Sequence, residues 1–218
     1  MRRSLITLLL VACTPATSTA PPERPGSRGM RADAHLDAAR DHARRAKELA
    51  SWPDARTNGT GRFDAPSTGL WYRAWDTAPE HERLADAHQS AAGHLQAAYD
   101  EACGATRLGA VSVSPLQRYG IGGAPIPDGV MVFLLPEAGP ADRLIAAMQC
   151  HRAWMMLGES AMEDCPLDLE GIHIEAHGDD KGITVEIKPR DPKLVPELQR
   201  RAARDLEKAS QRRHAAPE

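Results

Sequence analysis

Apolar and polar residues recur along this chain with two different periods, and the change of period divides it. From about Met30 to Ala50, the residues Leu36, Ala39, Ala43, Ala46 and Leu49 return at steps of three and four, which predicts an amphipathic helix that ends before Pro53. Its stripe is mostly alanine, so it can approach a partner closely while burying little apolar area. A second helix has a defined start. Thr77 with Glu80 three residues on forms a capping box, and Pro79 suits a first turn. Leu84, Ala87, Ala91, Leu95, Ala98 and Ala102 carry the stripe, and Gly104 closes it. Beyond Gly104 the period shortens. Val111, Ser112, Val113 and Ser114 alternate as in a short strand. Gly120 to Gly123 and Pro125 to Gly129 read as loop. The unbroken apolar run Val130 to Leu135 reads as a central strand. Gly139-Pro140 opens a helix reaching about Leu157. Ile172, Ile174 and Ala176, then Ile183, Val185 and Ile187, alternate strictly with polar residues, so each set half-buries one strand. His177 to Gly182 is the hairpin turn between them. Asp191-Pro192 caps a last helix with Leu194, Leu198, Ala202 and Leu206 in register and Arg212 and Arg213 near its end.

This order predicts an α+β fold: N-terminal Ala-striped helices, then a small two-layer α/β sandwich in the order strand, helix, strand, strand, helix. The sandwich is ferredoxin-like in flavour but short of strands. Between the first two helices, residues 51–76 hold the breakers Asn58-Gly59, Gly61, Pro66 and Gly69. They also hold Trp52, Phe63, Trp71, Tyr72 and Trp75, more than half of the chain's four Trp, three Tyr and two Phe. The reading is a long loop pinned by aromatic anchors, with an apolar or sugar-binding surface at 52–75 as the alternative.

The N-terminus carries a separate signal. Arg2 and Arg3 precede the apolar run Leu5 to Val11, and Ala12-Cys13 closes it. This is the pattern of a secretory signal peptide, too short to span a bilayer as a mature helix. The ending Leu10-Val11-Ala12-Cys13 resembles the lipobox of bacterial lipoproteins. That resemblance implies cleavage before Cys13 and acylation of Cys13 with chains such as palmitate. It also implies stable attachment, since more than one acyl chain holds where a single one binds marginally. Thr14, standing where an Asp would favour the inner membrane, implies the outer membrane, facing the periplasm or the cell surface. Farther on, Ala102-Cys103, Ser114-Pro115-Leu116, Cys150-His151 and Cys165-Pro166-Leu167 are similar to bacterial lipoproteins with no known activity. The expected organisation is a signal peptide over 1–12 and a lipidated, Pro- and Thr-rich tether over 13–29. A helical region over 30–104, an α+β module over 105–210 and a frayed tail over 211–218 follow.

Charge and cysteine count sharpen this picture. The 218 residues carry a net charge of −3, and loss of Arg2 and Arg3 with the signal makes the mature chain more acidic. Scattered, mildly acidic charge offers no footprint for nucleic acid. No later apolar run is long enough to span a membrane. Cys103, Cys150 and Cys165 remain beside Cys13. In an oxidising compartment an odd number implies one disulfide plus a thiol, a metal site or a bridge to another chain. The expected bridge is Cys150–Cys165, closing a short loop worth about 3 kcal/mol in the chain-entropy model. Cys103–Cys165 and Cys103–Cys150 are its rivals.

Candidate chemistry centres on His151. At about 100° per residue, His151 falls within about 20° of Leu144 on the helix that follows Gly139, between Met148 and Met155. An imidazole in the middle of an apolar face must be hydrogen-bonded, paired or ligated. A core histidine donating to a backbone carbonyl is the first reading. A soft-metal site for copper or zinc, from Met148, His151 and Met155, is the alternative. Cys150 and His151 cannot pair as nucleophile and base, because adjacent helical residues diverge by about 100°. His35 and His42, like His81 and His88, are seven apart, which puts each pair on one face but about 10.5 Å apart along the axis. They read as exposed histidines. His173, Glu175 and His177 share the polar face of one strand and read as a solvated sheet surface. Gly120-x-Gly122-Gly123 lacks the Lys-Ser/Thr of a phosphate loop, and no Gly-x-Ser-x-Gly elbow is present. The expectation is a lipid-anchored periplasmic or surface protein with a non-enzymatic binding or structural role. It would hold the membrane through its lipid and take a protein partner. A soft-metal-binding lipoprotein and a hydrolase without a recognisable motif are the alternatives.

Overall fold

The computed structural model describes residues 28–51, 77–104, 111–158, 162, 164–179 and 182–215. Cys13, the signal, the tether up to Ser27 and the aromatic-rich stretch 52–75 lie outside the described residues. The rest is mixed α+β, with helices first and a four-stranded antiparallel sheet after them.

The first two helices, α1 (Ala32–Ser51) and α2 (Ala78–Cys103), pack side by side and antiparallel. Thr77 caps α2, its hydroxyl accepting from the Glu80 amide at 3.4 Å. Gly104 ends the helix with φ at 50°, a conformation open to glycine. On α1 the seam keeps Ala39, Ala46 and Leu49 of the predicted stripe but leaves Leu36 and Ala43 outside it. Leu36 is 42% exposed, while Ala32, Ala39, Ala46 and Leu49 are buried. Ala32, His35, Ala39, His42, Ala46 and Leu49 alternate by three and four, as do His81, Ala85, His88, Ala92, Leu95 and Tyr99. That is the spacing of a helix-pair seam. Alanines at one seam position bring the backbones together, and the larger side chains, histidines included, fill the spaces between. The Ala32 and Asp33 amides donate to Met156 and Leu157 carbonyls at 2.8 and 3.3 Å, which roots the hairpin on the following module.

That module comprises α3 (Pro115–Tyr119), β1 (Gly120–Ile126), β2 (Gly129–Leu134), α4 (Ala141–Met155), β3 (Ile172–Asp179), β4 (Gly182–Pro189) and α5 (Val195–Ala215). The strands lie in the order β1-β2-β4-β3, each antiparallel to its neighbour. Because β4 separates β2 from β3, the unit β2-α4-β3 is a split crossover. Strand order and directions match a ferredoxin-like sheet whose last strand has moved to the start of the chain. β1 is therefore the strand that the sequence reading lacked.

Residues 111–114 form no strand; Ser114 caps α3, accepting from the Leu116 amide at 3.3 Å. The strand lies instead at Gly120–Ile126, which reads as loop from its glycines and Pro125. These residues suit their place. β1 is an edge strand, where proline is tolerated. A Cβ on Gly123 would stand 2.7 Å from the Met131 carbonyl and 2.9 Å from Leu206, so the strand passes too close to β2 and α5 for a side chain. The last helix continues to Ala215 with Arg212 and Arg213 in its last turn, through part of the stretch read as a frayed tail.

One face of the sheet is covered. Val130, Val132, Leu134, Ile183, Val185 and Ile187 point inward against Leu144, Met148 and Met155 of α4 and Leu198 and Ala202 of α5. Gln199 of α5 donates to the Ile126 and Gly129 carbonyls at 3.0 and 2.9 Å, fastening the β1–β2 turn. The opposite face, with Phe133, Glu175 and His177, meets solvent.

Candidate functional site

His151 occupies the middle of the α4 core face, as the helical period predicts, and is fully buried together with Met148 and Met155. Its Nδ1 lies 2.6 Å from the Val111 carbonyl oxygen. A carbonyl only accepts, so Nδ1 carries the proton and Nε2 is left as an acceptor. The Cys165 sulfur stands 3.6 Å from Nε2, and the thiol donates to it. Trp154 stacks on the ring with centroids 5.6 Å apart. Both nitrogens are thus used by protein groups.

Burial sets the charge of this pair. It lowers the His151 pKa against the opposing Val111 contact. It pushes the Cys165 thiol up to about 12, reinforced by the Asp205 carboxylate. The proton therefore stays on sulfur and the imidazole stays neutral. A nucleophilic thiol requires the reverse, a depressed pKa and an open approach. The arrangement is a satisfied core hydrogen bond.

The cysteine pairing differs from the expected Cys150–Cys165. Cys103, the last residue of α2, is bonded to Cys150 of α4, with Cα atoms 4.7 Å apart, and Cys165 is a buried free cysteine. The reason lies in α4. Cys150 and His151 diverge by about 100°, so Cys150 faces α2 while Cys165 sits on the side of His151. Sequence separation favoured the short loop, but the helix faces decided the partner.

Other buried polar groups surround this centre. Gln117 of α3 donates to Asp205 of α5 at 2.7 Å, and burial raises the Asp205 carboxyl above its ordinary range. Arg28 and Arg31 reach Asp168 at 3.4 and 3.1 Å, tying the start of α1 to the turn before β3. A cleft of about 400 Å³ opens beside His151, lined by Val111, Pro115, Leu144 and Ala147 with Arg118 and Arg143.

The remaining histidines divide. His173 and His177 are exposed on β3, with His173 Nε2 3.2 Å from Glu175, as a solvated face requires. His35, His42, His81 and His88 are not the exposed histidines that their spacing within each helix suggested. All four are half-buried in the α1–α2 seam. His35 and His88 approach with Nδ1 atoms 2.8 Å apart, and so do His42 and His81. The His42 ring stacks on His88 at 5.5 Å. The readable signal was the same seven-residue spacing in two successive helices. Comparison with known proteins adds no relative: no family model, no curated protein and no solved structure matches this chain.

Proposed function

We propose that this is a lipid-anchored protein of the periplasm or cell surface whose α+β module has a non-enzymatic binding or structural role. The observation that carries the reading is the N-terminal pattern: Arg2-Arg3, a short apolar run, and Leu10-Val11-Ala12-Cys13. The Cys103–Cys150 bridge supports it, because stable disulfides belong to compartments outside the cytosol. No described helix is long and apolar enough to cross a membrane. In this reading attachment rests on acylated Cys13. The alternative of a copper or zinc site at Met148, His151 and Met155 finds His151 engaged by Val111 and Cys165, which supports the structural role for this residue. A hydrolytic alternative draws no support from a Cys165 thiol held protonated in the core.

The test is Cys13→Ser. The wild-type chain should partition with membranes and carry acyl mass on Cys13. The variant should be found uncut or soluble. A wild type without acyl mass, and a variant that still sediments with membranes, would exclude the lipoprotein reading.

A further inference from the structure

The α1–α2 seam places four imidazoles where a helix pair normally buries aliphatic side chains. We propose that the cross-helix pairs His35–His88 and His42–His81 each form a binding site for a divalent transition-metal ion, with copper(II) preferred over nickel(II) and zinc(II). The geometry fits. Two nitrogens bound cis at about 2.0 Å from a tetragonal ion stand about 2.8–2.9 Å apart, and about 3.3 Å apart around a tetrahedral one. In each pair the Nδ1 atoms are already 2.8 Å apart and face one another across the seam. Imidazole suits copper, nickel and zinc, and affinity rises toward copper(II). The stacking of His42 on His88 makes the two pairs one continuous column.

Among the described residues no group of three or more His, Cys, Asp or Glu is arranged to hold a metal ion. The site is therefore a two-imidazole chelate, with water completing the coordination. The ligands come from different helices, and this separates the proposal from chance binding by surface histidines. An ion held by His35 and His88, or by His42 and His81, must cross-link α1 to α2. The site is independent of the lipid anchor and of the His151 centre.

The experiment is a copper(II) titration of the full, untagged chain at neutral pH, read by electron paramagnetic resonance and by hydrogen exchange. Micromolar copper should give a spectrum with imidazole nitrogen coupling and should increase amide protection in α1 and the first half of α2. Removing both pairs by His→Ala should abolish both signals. Either double variant, His35→Ala/His88→Ala or His42→Ala/His81→Ala, should retain no more than half of the bound copper. The variant His173→Ala/His177→Ala should bind as the wild type does. The hydrogen-exchange arm uses the wild type alone, so it stands even where a variant is poorly folded. Three results would each overturn the proposal. They are no copper bound at micromolar concentration, copper bound without added protection of the hairpin, and binding that survives loss of both pairs.

Discussion

His151 spends both ring nitrogens inside the core, and this makes its removal costly in a predictable way. His151→Ala leaves the Val111 carbonyl and the Cys165 thiol without their partner and opens a void against Trp154. The expected loss is about 1–3 kcal/mol by chemical denaturation. His173→Ala, on a side chain 71% exposed, should cost under about 0.5 kcal/mol. The pH dependence follows from burial. The folded imidazole has a lowered pKa, so protonation favours unfolding. The stabilising contribution of His151 is complete above the ordinary histidine value of about 6.5 and is lost as pH falls toward the folded value. The His151→Ala variant should lack this part of the acid sensitivity. Equal stability of the His151 and His173 variants would place His151 outside the core.

The α1–α2 pair has little aliphatic surface in its seam, and its histidines make it responsive to protons. The Nδ1–Nδ1 hydrogen bond of His42 with His81 needs one nitrogen without a proton. His42 has a lowered pKa, from partial burial first and then from His81 and His88, with Asp41 opposing. The sign is the same as for His151: the contribution of His42 to this seam is present at neutral pH and falls on acidification. Amide protection in α1 should therefore drop between about pH 7 and 5, while protection in β2 and β4, covered by α4 and α5, changes less. Uniform loss across all elements would show that the hairpin does not respond separately.

Across the whole molecule, the Cys103–Cys150 bridge fastens the helical hairpin to the α+β module. It spans a sequence separation of 47, and the chain-entropy model assigns a loop of that length about 4 kcal/mol of stabilisation. Mass spectrometry of a non-reduced digest should find Cys103 joined to Cys150 and Cys165 unmodified. Cys165 should resist alkylation until the chain unfolds, since its thiol is buried and protonated. Cys103→Ser should lower the denaturation midpoint in oxidising buffer and remove the effect of added reductant. A Cys150–Cys165 peptide would show that α4 is rotated from the position described.

Periodicity by itself determined α1, α2, α4 and α5, strands β2, β3 and β4, the α+β class and the burial of His151, but not the short helix α3. In each case a repeat of apolar residues leaves one favourable face. The tertiary structure decided the rest. β1 reads as loop from its glycines and Pro125, yet Gly120 and Gly123 stand there because Leu116, Met131 and Leu206 leave no space for a side chain at those two positions, and a local pattern holds no trace of neighbours that crowd it. The hairpin seam kept Ala39, Ala46 and Leu49 but exchanged Leu36 and Ala43 for Ala32, His35 and His42, because close backbone approach, rather than the apolarity of single residues, selected the face. The disulfide followed helix orientation, so Cys150 joined Cys103 and not the cysteine nearer in sequence. His35 and His88 are 53 residues apart, and only antiparallel docking of two helices brings their nitrogens together.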